Sequence, residues 1–172
     1  MGKAAVKWWT LVCLALFMSG HANAEGALDR WNFSNSDDGV ATASLAAANK
    51  LTNNSGSLSY SPVLTIACRS GDDPQWSELL RLNDMASSSS TVTISVAIGD
   101  AEAFDERWTI TRRGKVLVRT GPEAVSRLIP AERLALSWRF GLLSGRGEAD
   151  FDLAGIDDVI GQLADACQTT RP

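Results

Sequence analysis

Histidine is nearly missing from this chain. The one histidine among its 172 residues is His21, inside an N-terminal leader. Without an imidazole beyond the leader, a Ser-His-Asp triad, a histidine-ligated zinc and a histidine general base are all excluded. Lysine is scarce too. Past the leader only Lys50 and Lys115 remain, both in turn-like settings, which argues against a Ser-Lys dyad. Long hydrophobic runs are also lacking, and none approaches the ~18–20 apolar residues that span a bilayer. The glycine-rich stretch at residues 141–147 has no Gly-Lys-Ser/Thr ending, so it is no phosphate loop.

What is present begins with that leader. Lys3 and Lys7 precede an apolar run from Trp8 to Met18, and a polar stretch then ends in Ala22, Asn23 and Ala24. This is the three-part pattern of a secretory signal with a small-x-small cleavage site. Cys13 suggests a lipoprotein box, but Val12 before it is not small and cleavage there would bisect the apolar run. The expectation is a signal peptide over residues 1–24 and a single mature domain over 25–172, 148 of the 172 residues. A domain of that size buries roughly 68–70% of its unfolded surface, enough for a core without metal or cofactor. Its compartment is periplasmic or extracellular. Without Lys3 and Lys7 the balance is 14 basic against 20 acidic residues. That excess of acid disfavours nucleic acid and anionic membrane as partners, since both need a cationic footprint.

Two cysteines stay in the mature chain, Cys68 and Cys167. An even pair in an oxidising compartment reads as a disulfide. It closes a loop of about 100 residues, for which chain entropy assigns roughly 4–5 kcal/mol. The spacing is far from the C-x-x-C of a redox pair.

Most of the chain reads as short strands. Trp31 and Phe33 alternate, and residues 36–39 form a turn cluster. Val40 to Ala48 follows as a strand weakened by its alanines. Asn53 to Gly56 is a break, and Pro62 opens the apolar run Val63 to Cys68. A loop from Ser70 to Pro74 leads to an ambiguous segment. Trp76, Leu79, Leu80 and Asn83 fit a helix turn, whereas Trp76, Glu78, Leu80 and Leu82 fit a strand, and a strand is expected. After the serine tract 87–90, Val92, Ile94, Val96 and Ile98 give the clearest alternation. Arg107 to Arg112 and Lys115 to Arg119 form a hairpin joined by Arg113 and Gly114, the glycine supplying a positive φ. A short helix is expected over Glu123 to Ile129 after Pro122. Alternation returns from Leu134 to Phe140, followed by a turn over 141–147 and a short strand from Asp150 to Leu153. Ile156, Val159, Ile160, Leu163 and Cys167 then mark an amphipathic helix, with Asp157 and Asp158 in its first turns. Strands followed by one helix predict a mainly β fold, an antiparallel β-sandwich or open barrel with a C-terminal α-helix.

The strongest candidate surface is the cationic hairpin with Arg107, Arg112, Arg113, Lys115 and Arg119, five of the 14 mature basic residues. It suits an acidic protein partner, against the plainer reading of charges that protect a strand edge. Asp150 and Asp152 share one side of a strand and offer a carboxylate pair for glycoside hydrolysis. They fit an exposed strand edge better, and they lack the other ligands of a calcium loop. Trp31, Trp76, Trp108 and Trp138 are spread over predicted strands, as core residues are.

Trp31, the polar run from Ser34 to Asp38, the apolar strand into Cys68, and Phe151 to Gly155 before a helix reaching Cys167 together resemble small exported bacterial proteins. Among such proteins the pattern resembles the VasI (or TagO) family, accessory to type VI secretion. Invasion-associated locus B proteins share similar features. The resemblance touches the two ends of the mature chain and implies an envelope accessory protein, without supplying a functional residue. The expectation is therefore a non-enzymatic, protein-binding domain of the cell envelope, with a secreted inhibitor of an envelope hydrolase, such as a lysozyme inhibitor, as the alternative.

Overall fold

The computed structural model describes residues 24–52, 56–71, 75–140 and 145–172. The leader up to residue 23, the break at 53–55, part of the 70–74 loop and the turn at 141–144 lie outside them. Three helices are described: α1 (Ala24–Leu28), α2 (Pro122–Ser126) and α3 (Ile156–Ala166). The strands are β1 (Asn32–Asn35), β2 (Val40–Ala46), β3 (Leu51–Thr52), β4 (Ser59–Tyr60), β5 (Val63–Arg69) and β6 (Gln75–Arg81). They continue with β7 (Thr91–Ile98), β8 (Phe104–Thr111), β9 (Val116–Thr120), β10 (Arg133–Arg139) and β11 (Arg146–Asp152).

Nine of these strands form one antiparallel sheet in the order β1-β2-β5-β6-β9-β8-β7-β10-β11, and β3 pairs with β4 apart from it. The alternation in the sequence sets its two faces. Ala41, Ala43 and Leu45 of β2, Leu64, Ile66 and Cys68 of β5, and Ile94 and Val96 of β7 all point into a common core. So do Trp31, Trp76, Trp108 and Trp138. The sheet curls without closing: no ladder joins β1 to β11 among the described residues. The segment after β2 reaches β11 instead. Ala48 donates its N–H to Asp150 O at 2.7 Å. The Asn49 side chain then donates to Glu148 O at 2.8 Å and accepts the Asp150 N–H at 2.9 Å. One amide thus imitates a strand neighbour and occupies an edge that would otherwise present unpaired groups.

The alanines that weakened β2 as a strand have a packing reason. Helix α3 lies on β2 and β5, and small side chains at positions 41 and 43 let it approach. Its Val159, Ile160 and Leu163 are buried there. Cys167, just past the helix, is bonded to Cys68 of β5, with Cα atoms 6.3 Å apart. The disulfide thus ties helix to sheet across a sequence separation of 99 residues.

The predicted strand at Asp150–Leu153 starts earlier, at Arg146, and includes Gly147. Gly147 pairs with Trp138 in register. A Cβ there would lie 2.5 Å from Trp138 Cε2 and 2.7 Å from Phe140 Cε2. The missing side chain makes room for the edge-to-face Trp138–Phe140 pair, whose ring centroids are 5.7 Å apart. The expected helix at Glu123–Ile129 is shorter, Pro122–Ser126, and presses Ala124 and Val125 onto β6 and β9.

Candidate functional site

The β8–β9 hairpin differs from the expected two-residue turn. Thr111 pairs with Val116, so residues 112–115 form a four-residue loop. Arg112 and Arg113 adopt left-handed backbone, with φ of +47° and +58°, and Gly114 follows at +85°. For a residue with a Cβ this conformation costs roughly 1–2 kcal/mol, so the surroundings must impose it. They do so through the segment after β6. Leu82 donates its N–H to Lys115 O, Ala86 donates to Gly114 O, and Ile110 donates to Ser90 O, each at 2.8 Å. Met85 packs where a Cβ of residue 114 would stand. Gly114 is thus required both by φ and by space.

The structure divides the five cationic candidates. Arg112, Arg113 and Lys115 gather, exposed, at the tip. Arg107 lies exposed on β8 opposite Thr93, away from the tip. Arg119 turns the other way and is no part of this surface: its Nη1 lies 3.0 Å from Glu106 Oε1, without the alignment of a hydrogen bond. Beside the tip a hollow of about 490 Å³ is lined by Met85, Ser87, Ser88, Ser89, Arg112 and Arg113.

Arg112 also borders a larger groove, about 630 Å³, across the outer faces of β2, β5, β6 and β9. Its floor is short and hydroxylic, with Thr42, Ser44, Thr65 and Ser77. Ser44 and Thr65 share a hydrogen bond of 2.8 Å across β2 and β5. Arg69 and Arg81 stand at its margins with Arg112. Among the described residues the one acid lining it is Asp38, whose carboxylate accepts from the Ser36 hydroxyl. That bond holds its pKa below the usual carboxylate range.

Beneath the hairpin lies a charge cluster that the sequence reading did not find. Glu78 of β6 is 0% exposed and sits opposite Arg119 in register. Arg127, just past α2, donates through one Nη2 to Glu78 Oε2 at 2.6 Å and to Glu106 Oε2 at 3.0 Å. Trp108 Nε1 donates to the same Glu106 oxygen at 3.0 Å. Burial pushes the Glu78 carboxyl up to about 8, with Glu106 adding to the rise and Arg127 and Arg119 opposing it. A raised carboxyl is a common mark of an active site. Here the group has no surface that a substrate in solvent could touch, so the geometry is that of a structural cluster. Its signal was in the sequence: a glutamate shares the alternating positions of Trp76 and Leu80.

Asp150 and Asp152 both lie on the exposed side of β11. Asp152 is paired with Arg30 at 2.6 Å and accepts the Ala154 N–H at 3.0 Å. Both bonds hold its pKa below the ordinary value, the Arg30 bond most strongly. A general acid needs the opposite shift. Among the described residues no three His, Cys, Asp or Glu side chains gather as a metal site.

No family model and no curated protein matches the chain. Among solved structures it is similar to the crystal structure of invasion associated protein B from Bartonella henselae. That likeness has a TM-score of 0.54 at 11% identity, over 81% of this chain and 94% of that one. At such identity it speaks for the fold alone and does not tie the chain to the VasI or TagO proteins.

Proposed function

We propose that this is a non-enzymatic binding domain of the cell envelope, exported by its leader, which docks a protein partner through the tip at Arg112, Arg113 and Lys115. The observation that carries this reading is the pair of consecutive arginines held in left-handed backbone. A solvated, edge-protecting loop gains nothing from such strain. Strained residues that persist do so because their surroundings over-determine them, and they cluster at ligand-contacting sites. Here Met85 and the 82–90 segment supply that support. An accessory role in type VI secretion, as the sequence resemblance implies, is one setting for such docking.

The test is charge reversal at Arg112, Arg113 and Lys115, followed by affinity isolation from envelope extract. Loss of a specific partner, with an unchanged thermal melt, supports the reading. Retention of that partner rejects the tip as the interface.

The same observation favours a second reading. A stiff cationic loop has the charge to enter a cleft built around two carboxylates, as glycoside hydrolases have. Inhibition of lysozymes by the purified protein, lost on the same charge reversal, would favour an inhibitor over an accessory subunit.

A further inference from the structure

We propose that the groove over β2, β5, β6 and β9 is a second docking site, which binds an extended acidic peptide segment. The inference rests on the binding reading above, because it assigns the partner a chemistry and a path away from the tip.

Three observations carry it. The first is charge. The chain as a whole is negative, −4 by composition, yet among the described residues this groove gathers Arg69, Arg81 and Arg112 against one acid, Asp38. Among the described residues none of the three arginines is in an ion pair, whereas Arg30, Arg119, Arg127, Arg146 and Arg171 all are. Guanidinium groups are suited to bidentate carboxylate recognition.

The second is dimension. Arg69 pairs with Gln75 at one end of β6, while Arg81 pairs with Val116, beside Arg112, at the other. Six residues of strand at ~3.3 Å each separate these ends by roughly 20 Å. An extended chain of about seven residues covers that span, and acidic side chains near its two ends meet the two arginine positions. Between them the short floor leaves room for a backbone; the Thr42 hydroxyl, which donates to Ser34 O at 3.3 Å, can accept a peptide N–H, and the Ser77 hydroxyl also lines the floor.

The third is the lining itself. Among the described residues it includes no aromatic ring, so they offer sugars and bases no stacking platform. A long polyanion would also meet the surrounding net negative protein, whereas a short acidic segment touches the groove alone. The groove is continuous with the tip through Arg112, so one partner can engage both.

The test uses fluorescence anisotropy with the purified protein and a labelled seven-residue peptide carrying glutamate at its first and last two positions. A glutamine counterpart and a polyphosphate of similar charge serve as competitors. The expected result is binding of the glutamate peptide that weakens with salt and is at least about tenfold weaker for the glutamine form. Arg69→Glu and Arg81→Glu should each lower affinity about tenfold, with the thermal melt unchanged. Arg139→Glu on β10 should leave it as it was. Equal binding of both peptides, no response to the groove variants, or stronger binding of polyphosphate through the same arginines would each overturn the inference.

Failure of the tip reading shows separately. Arg113→Glu with Lys115→Glu leaves the groove arginines intact. If that pair keeps the envelope partner and the groove variants lose it, the tip reading fails and the groove stands. If the pair loses the partner while the groove variants bind peptide as wild type does, the groove fails and the tip stands.

Discussion

Arg127→Ala tests how the buried charge cluster holds the fold. Arg127 donates one Nη2 to both Glu78 and Glu106, at 2.6 and 3.0 Å. Its removal leaves two carboxylates facing only Arg119 inside the sheet. Breaking a buried pair by deleting one partner costs about 3–5 kcal/mol, because an uncompensated charge remains. For a domain of this size that lowers the melting temperature by on the order of 10 °C.

The cost should depend on pH, and the sign follows from Glu78. Its carboxyl rises from 4.5 to about 8 in the folded protein, chiefly through burial. The folded state therefore holds this proton more tightly than the unfolded chain does. Glu78 contributes most stability below pH 4.5, and that contribution falls as pH rises to about 8. At about 1.4 kcal/mol per pH unit the full range is on the order of 5 kcal/mol. At pH 5 Glu78 is protonated and the variant strands little charge. At pH 9 the wild-type carboxyl is ionised beside Arg127, whereas the variant, without the cation that lowers its pKa, must either keep the proton or bear a poorly paired charge. Urea unfolding followed by tryptophan fluorescence at pH 5, 7 and 9 measures this, since Trp108 donates to Glu106. The Arg127→Ala penalty should grow with pH, and Glu78→Gln in the same background should remove most of the growth. A penalty that is flat from pH 5 to 9, or below about 1 kcal/mol at pH 9, refutes the reasoning.

Other substitutions probe separate elements. Gly147→Ala places a Cβ 2.5 Å from Trp138 and should destabilise by about 1–3 kcal/mol of overpacking, read by thermal melting. Arg113→Gly relieves a left-handed residue at φ +58°; it should stabilise by about 1 kcal/mol while weakening partner capture. Asn49→Ala removes two hydrogen bonds to β11 and should cost about 1–3 kcal/mol, with faster amide exchange at Asp150.

The alternating positions made most of the sheet legible. Val92 to Ile98 reads as a strand because Ile94 and Val96 face the core, and the 76–82 segment is strand because Trp76, Glu78 and Leu80 share that face. The C-terminal helix was readable from its change of period, and the Cys68–Cys167 bridge from the even pair of cysteines left after the leader. The short β3–β4 pair was not, since two residues per strand carry no period. The hairpin turn was misjudged because a glycine following an arginine suggested that only the glycine would take positive φ. The support at Met85 that lets arginines do so is distant in sequence.

The site was harder to read than the fold. Counting charges along the chain grouped Arg119 with the tip, although its alternation with buried Leu117 turns it inward. Arg69 and Arg81 carry no joint signal in the sequence because their strands meet Arg112 only in the folded sheet. A groove made by neighbouring strands has no contiguous signature.

The central claim is that the Arg112–Lys115 tip meets a partner in the envelope. A photo-crosslinking side chain placed at Arg113 in living cells tests it most directly. The account predicts one discrete adduct with an envelope protein, suppressed when Arg112 and Lys115 carry negative charge. No adduct above background, or the same adduct after charge reversal, would contradict it.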